Sequence, residues 1–116
     1  MNGTALYTSA FTPPTAPLST GTTNQKLLVC QVNRFIDSNT ATTAKTITVN
    51  STPSVQRFSP FSPTTAYSTS VIGGSGYFDG SGDYLTATQN AAFNLGTAAF
   101  TVEAWIDLSA LPSPSN

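Results

Sequence analysis

The 116-residue chain has no histidine, one cysteine, and charged side chains at only 8% of its positions. The missing histidine removes the side chain that most often transfers protons in enzymes. A single cysteine, Cys30, excludes an intrachain disulfide, and its apolar neighbours predict a buried strand thiol rather than a reactive one. With four basic residues and a net charge of −1, the chain lacks a basic patch for nucleic acid.

The sequence also lacks targeting signals of the common kinds. No apolar run is long enough to span a membrane, and residues 1–10 have neither the basic nor the apolar region of a secretion signal. If the protein is extracellular, we expect another route of export or release, or a processed or partial chain. Low charge also leaves little electrostatic repulsion to oppose self-association.

What the chain does contain favours an all-β fold. Hydrophobic residues make up 39% of it, which supports a packed core, and the length allows one domain. Thr, Val, Phe, Tyr, Ser, Gly and Pro are abundant, whereas long helix-forming side chains are few. Alternation and turn residues predict strands at 4–11, 26–32, 46–49, 55–58 and 99–108, a hairpin of 76–79 with 83–88, and one helical turn at 90–93.

Composition divides the chain into three parts. Residues 1–17 form an extended N-terminal strand that ends in a proline-rich stretch. Residues 18–25 are a Ser/Thr/Gly linker, and residues 26–116 carry the remaining predicted strands.

Two segments in the last part are more specific than the rest of the chain. They are Gly76-Tyr77-Phe78-Asp79-Gly80-Ser81-Gly82-Asp83-Tyr84-Leu85 and Phe100-Thr101-Val102-Glu103-Ala104-Trp105. Both resemble segments from the first half of concanavalin A-like, or laminin-G-like, jelly-roll domains in tailed-phage fibre and other surface proteins. In such proteins several jelly-roll domains follow one another along the chain.

The resemblance implies an antiparallel jelly-roll-like β-sandwich that is incomplete within one chain. Residues 1–17 look like the last strand of one domain, and residues 26–110 look like the first half of the next. The family's remaining strands are absent after Leu111. We therefore expect strand exchange to complete the sandwich, with the N-terminal strand as a donor that covers an open edge, either its own or a neighbour's.

The alternating segment 99–108 predicts the core. Its first face, with Phe100, Val102, Ala104 and Ile106, should be buried near Leu27 or Leu28 and near Ile47. On this hypothesis Val102→Asp should abolish folding, because an unpaired buried charge costs several kcal/mol.

The acidic residues do not indicate catalysis or metal binding. Four residues apart on a strand, Glu103 and Asp107 stand roughly 13 Å apart, too far for a paired acid and nucleophile. Asp37, Asp79 and Asp83 are interpreted as turn formers rather than calcium ligands. We expect no enzyme activity, no cofactor and no metal.

Candidate assembly residues are the large side chains of the N-terminal strand: Leu6, Tyr7 and Phe11. Trp105 has two interpretations, packing against the donated part of the fold, which we favour, and stacking on a sugar. Asn2 and Asn50 begin Asn-x-Ser/Thr sequons and are candidate glycosylation sites.

The leading functional hypothesis is a non-enzymatic structural subunit of an extracellular filament or virion fibre. It would assemble with copies of itself, head to tail, through the donated strand. The alternative is a lectin-like, carbohydrate-binding adhesion module of a phage tail fibre or surface protein, with glycans as partners.

Overall fold

The computed structural model describes residues 1–61 and 74–110. They contain four short strands, which form two antiparallel two-stranded sheets, and one 3-10 turn. Strand β1 is Ile47–Asn50, β2 is Ser54–Gln56, β3 is Ser75–Tyr77 and β4 is Tyr84–Ala87. Because the described residues include no α-helix, the prediction of a small all-β fold is confirmed.

The first sheet pairs β1 with β4. Ile47 lies opposite Ala87, and Val49 lies opposite Leu85. The alternating Thr-Ile-Thr-Val sequence suits a pleated strand, since β-branched side chains pack well across it. The predicted strand at 46–49 is therefore confirmed within one residue, although Val49 remains 45% exposed.

The second sheet pairs β2 with β3 and corrects the predicted hairpin. Val55 lies opposite Gly76, so β3 pairs with β2 and not with β4, which belongs to the first sheet. The glycine-aspartate turn between β3 and β4 is closed by side chains instead of a strand ladder. The Asp79 carboxylate accepts the Ser81 amide at 2.7 Å, and Asp83 accepts the Asp79 amide at 3.1 Å.

Asp83 joins this turn to the one between β1 and β2. Its other carboxylate oxygen accepts the Thr52 amide at 2.8 Å. Partial desolvation would raise the pKa of Asp83, but the hydrogen bonds from Thr52 and Asp79 outweigh it, so the pKa lies below its usual value. The turn-former interpretation of Asp79 and Asp83 is confirmed.

A buried polar cluster organises the chain before β1. Asp37, only 7% exposed, accepts the amides of Leu28 and Asn39 at 3.0 Å and of Lys45 at 2.8 Å. The side chain of Asn39 donates to Gln25 O at 3.1 Å. Bonds to a charged acceptor contribute about 1.5–3 kcal/mol each, so this cluster fixes the loops around it. Asp37 is the turn former that the sequence predicts.

The predicted strand 26–32 is wrong. This segment lies wholly within the described residues and forms no regular strand, because Cys30 adopts a left-handed φ of 65° and Asp37 takes the Leu28 amide. Leu28 is buried, but Leu27 is 37% exposed and Cys30 is half-buried. The prediction of burial is therefore correct for Leu28, whereas the prediction that both faces of the segment are buried is wrong.

The chain beyond β4 continues into the predicted helical turn. Ala91–Phe93 form a 3-10 turn, and the Asn90 side chain caps it by accepting the Ala92 amide at 2.9 Å. Nowhere in residues 1–61 and 74–110 does a helix have the length and hydropathy needed to cross a membrane.

The position of Asp83 between two turns leads to a prediction about acid stability. The lowered pKa means that the stabilisation from Asp83 is complete above the ordinary aspartate pKa, about 3.9, and is lost as the pH falls through the folded-state value. Asp83→Asn should lower the urea midpoint at pH 7 and weaken the acid dependence of that midpoint.

The matched control is Asp107→Asn, at an exposed position away from both turns. Its urea midpoint should follow that of the wild type between pH 7 and pH 3. Equal behaviour of the two variants would show that Asp83 does not hold the turns together.

Candidate assembly site

The first residues of the chain lie antiparallel to residues 99–101. Asn2 and Phe100 form a bridge, with the Gly3 amide donating to Ala99 O at 2.8 Å. The Thr101 amide donates to Met1 O at 3.0 Å, and the Met1 ammonium donates to Thr101 O. We call residues 1–7 the N-terminal segment and residues 99–103 the acceptor edge.

Thr101 makes the largest share of these contacts. Besides its two backbone bonds, its hydroxyl accepts the Leu6 amide at 2.9 Å and donates to Thr4 O at 3.1 Å. Further along both segments, the Tyr7 hydroxyl donates to Glu103 Oε2 at 2.9 Å. That hydrogen bond, then desolvation and the charge of Glu103, raises the pKa of Tyr7. The sequence carried no signal for the role of Thr101, since nothing distinguishes it from the other threonines.

These contacts explain why the predicted strand 4–11 is wrong. All eight residues lie in the described part of the chain, and they form no regular strand. The Leu6 amide and the Thr4 carbonyl bond to the Thr101 hydroxyl and not to backbone groups, so the backbone ladder ends after Gly3. Pairing with the acceptor edge is therefore short and partly made by side chains.

The three candidate assembly residues lie close to one another. The Tyr7 and Phe11 rings stack with centroids 3.9 Å apart and planes at 18°. Leu6 is 40% exposed and Phe11 is 54% exposed, so much of their apolar surface stays in contact with water. With Trp105 they line one cleft of about 1500 Å³.

The predicted core face of residues 99–108 is wrong. Phe100 is 49%, Val102 81% and Ile106 78% exposed, and Ala104 is exposed as well. After the bridge at Phe100, residues 101–108 of the described chain have no regular strand pairing. The described residues therefore leave four large apolar side chains exposed, which we call the exposed apolar stripe: Phe100, Val102, Ile106 and Leu108.

Trp105 has one aromatic ring neighbour among the described residues. Its ring meets Phe61 edge to face, with centroids 5.5 Å apart and planes at 84°. Trp105 is nevertheless 55% exposed, which leaves surface for a further contact.

The two sequon asparagines have different surroundings. The Asn2 side-chain nitrogen donates to Ala92 O at 3.1 Å and to Asn94 O at 3.2 Å, so a glycan there would replace both bonds. Asn50 ends β1, and its side-chain nitrogen has a longer contact of 3.5 Å to Thr48 O. Both asparagines are partly exposed, and Asn50 is the one whose side-chain amide has the weaker hydrogen bonding.

The described residues offer little for metal or redox chemistry. Within 1–61 and 74–110, no three His, Cys, Asp or Glu side chains come together in a way that could hold a metal ion. Burial raises the pKa of the Cys30 thiol, which keeps it protonated at neutral pH.

Comparison of the chain with protein-family models, with curated proteins and with solved structures found no match.

The exposure of Val102 reverses the expectation drawn from its alternating pattern. Because Val102 is 81% exposed, Val102→Asp should fold cooperatively, with an unfolding free energy within about 0.5 kcal/mol of the wild type. Urea unfolding followed by circular dichroism measures this. Leu28→Asp, at a buried position, is the control and should lose several kcal/mol. Loss of folding in Val102→Asp would restore the predicted core face.

Proposed function

We propose that this protein is a non-enzymatic structural subunit of an extracellular filament or virion fibre. Copies assemble head to tail, and the N-terminal segment of one subunit completes the next, giving a jelly-roll-like sandwich. The observation that carries the proposal is the acceptor edge, which binds residues 1–7 through backbone and Thr101 hydrogen bonds. Addition of an extended segment to an exposed edge is a common way for proteins to join.

The exposed apolar stripe supports a partner surface next to that edge. Val102, Ile106 and Leu108 are 81%, 78% and 55% exposed. Large apolar side chains that are exposed close together in a chain are candidates for an interaction site. Full burial of one large apolar side chain contributes about 1.5–3 kcal/mol, so covering the stripe would stabilise a long-lived joint.

The charge of the chain is compatible with dense packing of identical copies. With 8% charged residues and a net charge of −1, neighbouring subunits repel one another weakly. A heterologous contact between donor and acceptor surfaces need not close into a ring, so it can extend into a filament.

The acidic side chains near the cleft support a structural role. Glu103 accepts the Tyr7 hydroxyl, which ties its carboxylate to the N-terminal segment.

Deletion of residues 1–17 tests the proposal. The truncated protein loses the donor, so it should give short, unstable or aggregating material instead of filaments, as seen by negative-stain electron microscopy. A free peptide of residues 1–17, added to the full-length protein, should cap open acceptor edges and stop growth. A peptide with serine at positions 6, 7 and 11 is the matched control and should leave growth unchanged.

A stable, monomeric truncated protein with an unchanged circular dichroism spectrum would contradict strand donation. In that case the chain is a self-sufficient small sandwich, and the carbohydrate-binding alternative becomes the better proposal.

Two observations favour this second candidate, a lectin-like adhesion module that recognises glycans. Trp105 is 55% exposed in the cleft, and aromatic faces stack well on sugars. Gln25 lines the same cleft, and its buried Oε1 has no hydrogen-bond partner among the described residues. A sugar hydroxyl could donate to this oxygen only after a local rearrangement that exposes it, because Gln25 is 2% exposed.

A glycan array separates the two functions. Glycan binding by a monodisperse monomer, lost in Trp105→Ala and kept in Tyr84→Ala, would support the adhesion module. Tyr84 is the matched control because it is an aromatic residue with 54% exposure on β4. No binding to any glycan on the array, together with filaments in the purified protein, would support the structural subunit.

A further inference from the structure

We infer that the contacts between the N-terminal segment and the acceptor edge are exchangeable between copies, and that the structure described here is the self-capped form of the subunit. In the assembled form, residues 1–7 of a second copy would occupy residues 99–103 through the same hydrogen bonds. The inference rests on the proposed function and adds to it the acceptor residues and the resting state of the free subunit.

The hydrogen bonds at this contact all join distant parts of the chain. The pairs Thr101–Leu6, Thr101–Thr4 and Glu103–Tyr7 are 95, 97 and 96 residues apart. Because no local chain geometry imposes these bonds, a second copy can supply the same partners. Exchange then replaces each hydrogen bond with an identical one, which is why swapping of a terminal element costs little free energy.

The segment that follows the N-terminal segment is suited to act as the hinge. Among the described residues, no hydrogen bond involves residues 8–18, and the Tyr7–Phe11 ring stack is an internal contact of this arm. Eleven extended residues reach up to about 36 Å, enough to carry the donor to an adjacent copy. Pro13, Pro14 and Pro17 stiffen the hinge and restrict the conformations open to it.

Self-capping competes with assembly by mass action. A tethered segment has a high effective concentration at its own edge, so the closed monomer dominates in dilute solution. Exchange becomes favourable when copies are concentrated and when the neighbour also covers apolar surface such as Val102 and Ile106, which the self-capped chain leaves exposed. The N-terminal segment is therefore both the donor and the inhibitor of premature growth.

The bridge between Asn2 and Phe100 allows a direct test by disulfide trapping. The bonds Gly3–Ala99 and Thr101–Met1 flank this pair, so it is a position where opposed side chains approach to about 4.5–5.5 Å between Cβ atoms. That separation is close enough for a disulfide after small adjustments. With Cys30→Ser as background, full-length chains carrying only Asn2→Cys or only Phe100→Cys are made with tags of different mass.

The two single-cysteine proteins are mixed at assembling concentration and oxidised. A disulfide between them can form only between copies, and we expect it in about tenfold or greater excess over like-with-like dimers on non-reducing gels. The matched control replaces Asn2→Cys with Thr88→Cys, an exposed position away from the contact, and should give only statistical cross-linking.

A second measurement covers the case in which Asn2→Cys disturbs the contact by itself. A fluorescent peptide of residues 1–17 is titrated onto full-length protein that carries Leu6→Pro, whose own segment lacks the amide that the Thr101 hydroxyl binds, and is followed by anisotropy. The peptide should bind this protein and its Thr86→Val derivative alike, and should bind its Thr101→Val derivative about tenfold more weakly, because that derivative lacks the hydroxyl that binds Leu6 and Thr4 of the peptide. Equal binding to all three proteins, or no binding to any of them, would overturn the exchange.

The outcomes separate the two proposals. Mixed disulfides together with filaments support both segment exchange and the proposed filament. Mixed disulfides in closed dimers support exchange and overturn the proposed filament. Filaments without mixed disulfides above the control overturn exchange but leave self-assembly standing. Monomers without mixed disulfides at any concentration overturn both.

Discussion

The hydrogen bonds of Thr101 hold the beginning of this chain against its later part, and the candidate function depends on them. Its amide, carbonyl and hydroxyl engage Met1, Thr4 and Leu6, which bring Tyr7 to Glu103. Without this contact the N-terminal segment would keep only its bonds to Asn24, Ala92 and Asn94, and the acceptor edge would present unpaired backbone groups. An unpaired edge is a template for another chain, so on the proposed function the same bonds that order the subunit would also determine how it joins a neighbour.

A second constraint is the scarcity of buried apolar side chains. Leu28 is the single buried hydrophobic residue among those described, while Gln25, Asp37, Asn39 and Ser59 are buried polar residues. Order before β1 therefore depends on satisfied hydrogen bonds more than on apolar burial, and such bonds are directional and local. They can fix loops, but they cannot cover the apolar stripe, and this imbalance is what makes a partner surface physically reasonable.

Local features could be predicted from the sequence, whereas pairing could not. The alternating sequence predicted β1 to within one residue. Asp79 and Asp83 indicated the turn around Gly80, and Asn90 indicated the 3-10 turn that begins at Ala91. Which strands pair is a tertiary property, so the hairpin expected between β3 and β4 proved to be two separate sheets joined through Asp83. The stripe at Phe100 was recognisable as apolar, but periodicity alone does not say whether anything covers it. The three assembly residues lie beside one cleft, yet Thr101, which positions them, resembles any other surface threonine.

The environment of Cys30 has a consequence for the redox chemistry of a crowded assembly. Burial raises the pKa of its thiol, and thiolate is the form that attacks disulfides and oxidants. The backbone carbonyl of Cys30 accepts the Gly74 amide at 2.7 Å, which helps keep this residue in its left-handed conformation. In an oxidising environment, where many copies lie close together, the thiol would react slowly with its counterparts. Reversible contacts, rather than random covalent cross-links, would then determine how the subunits are joined.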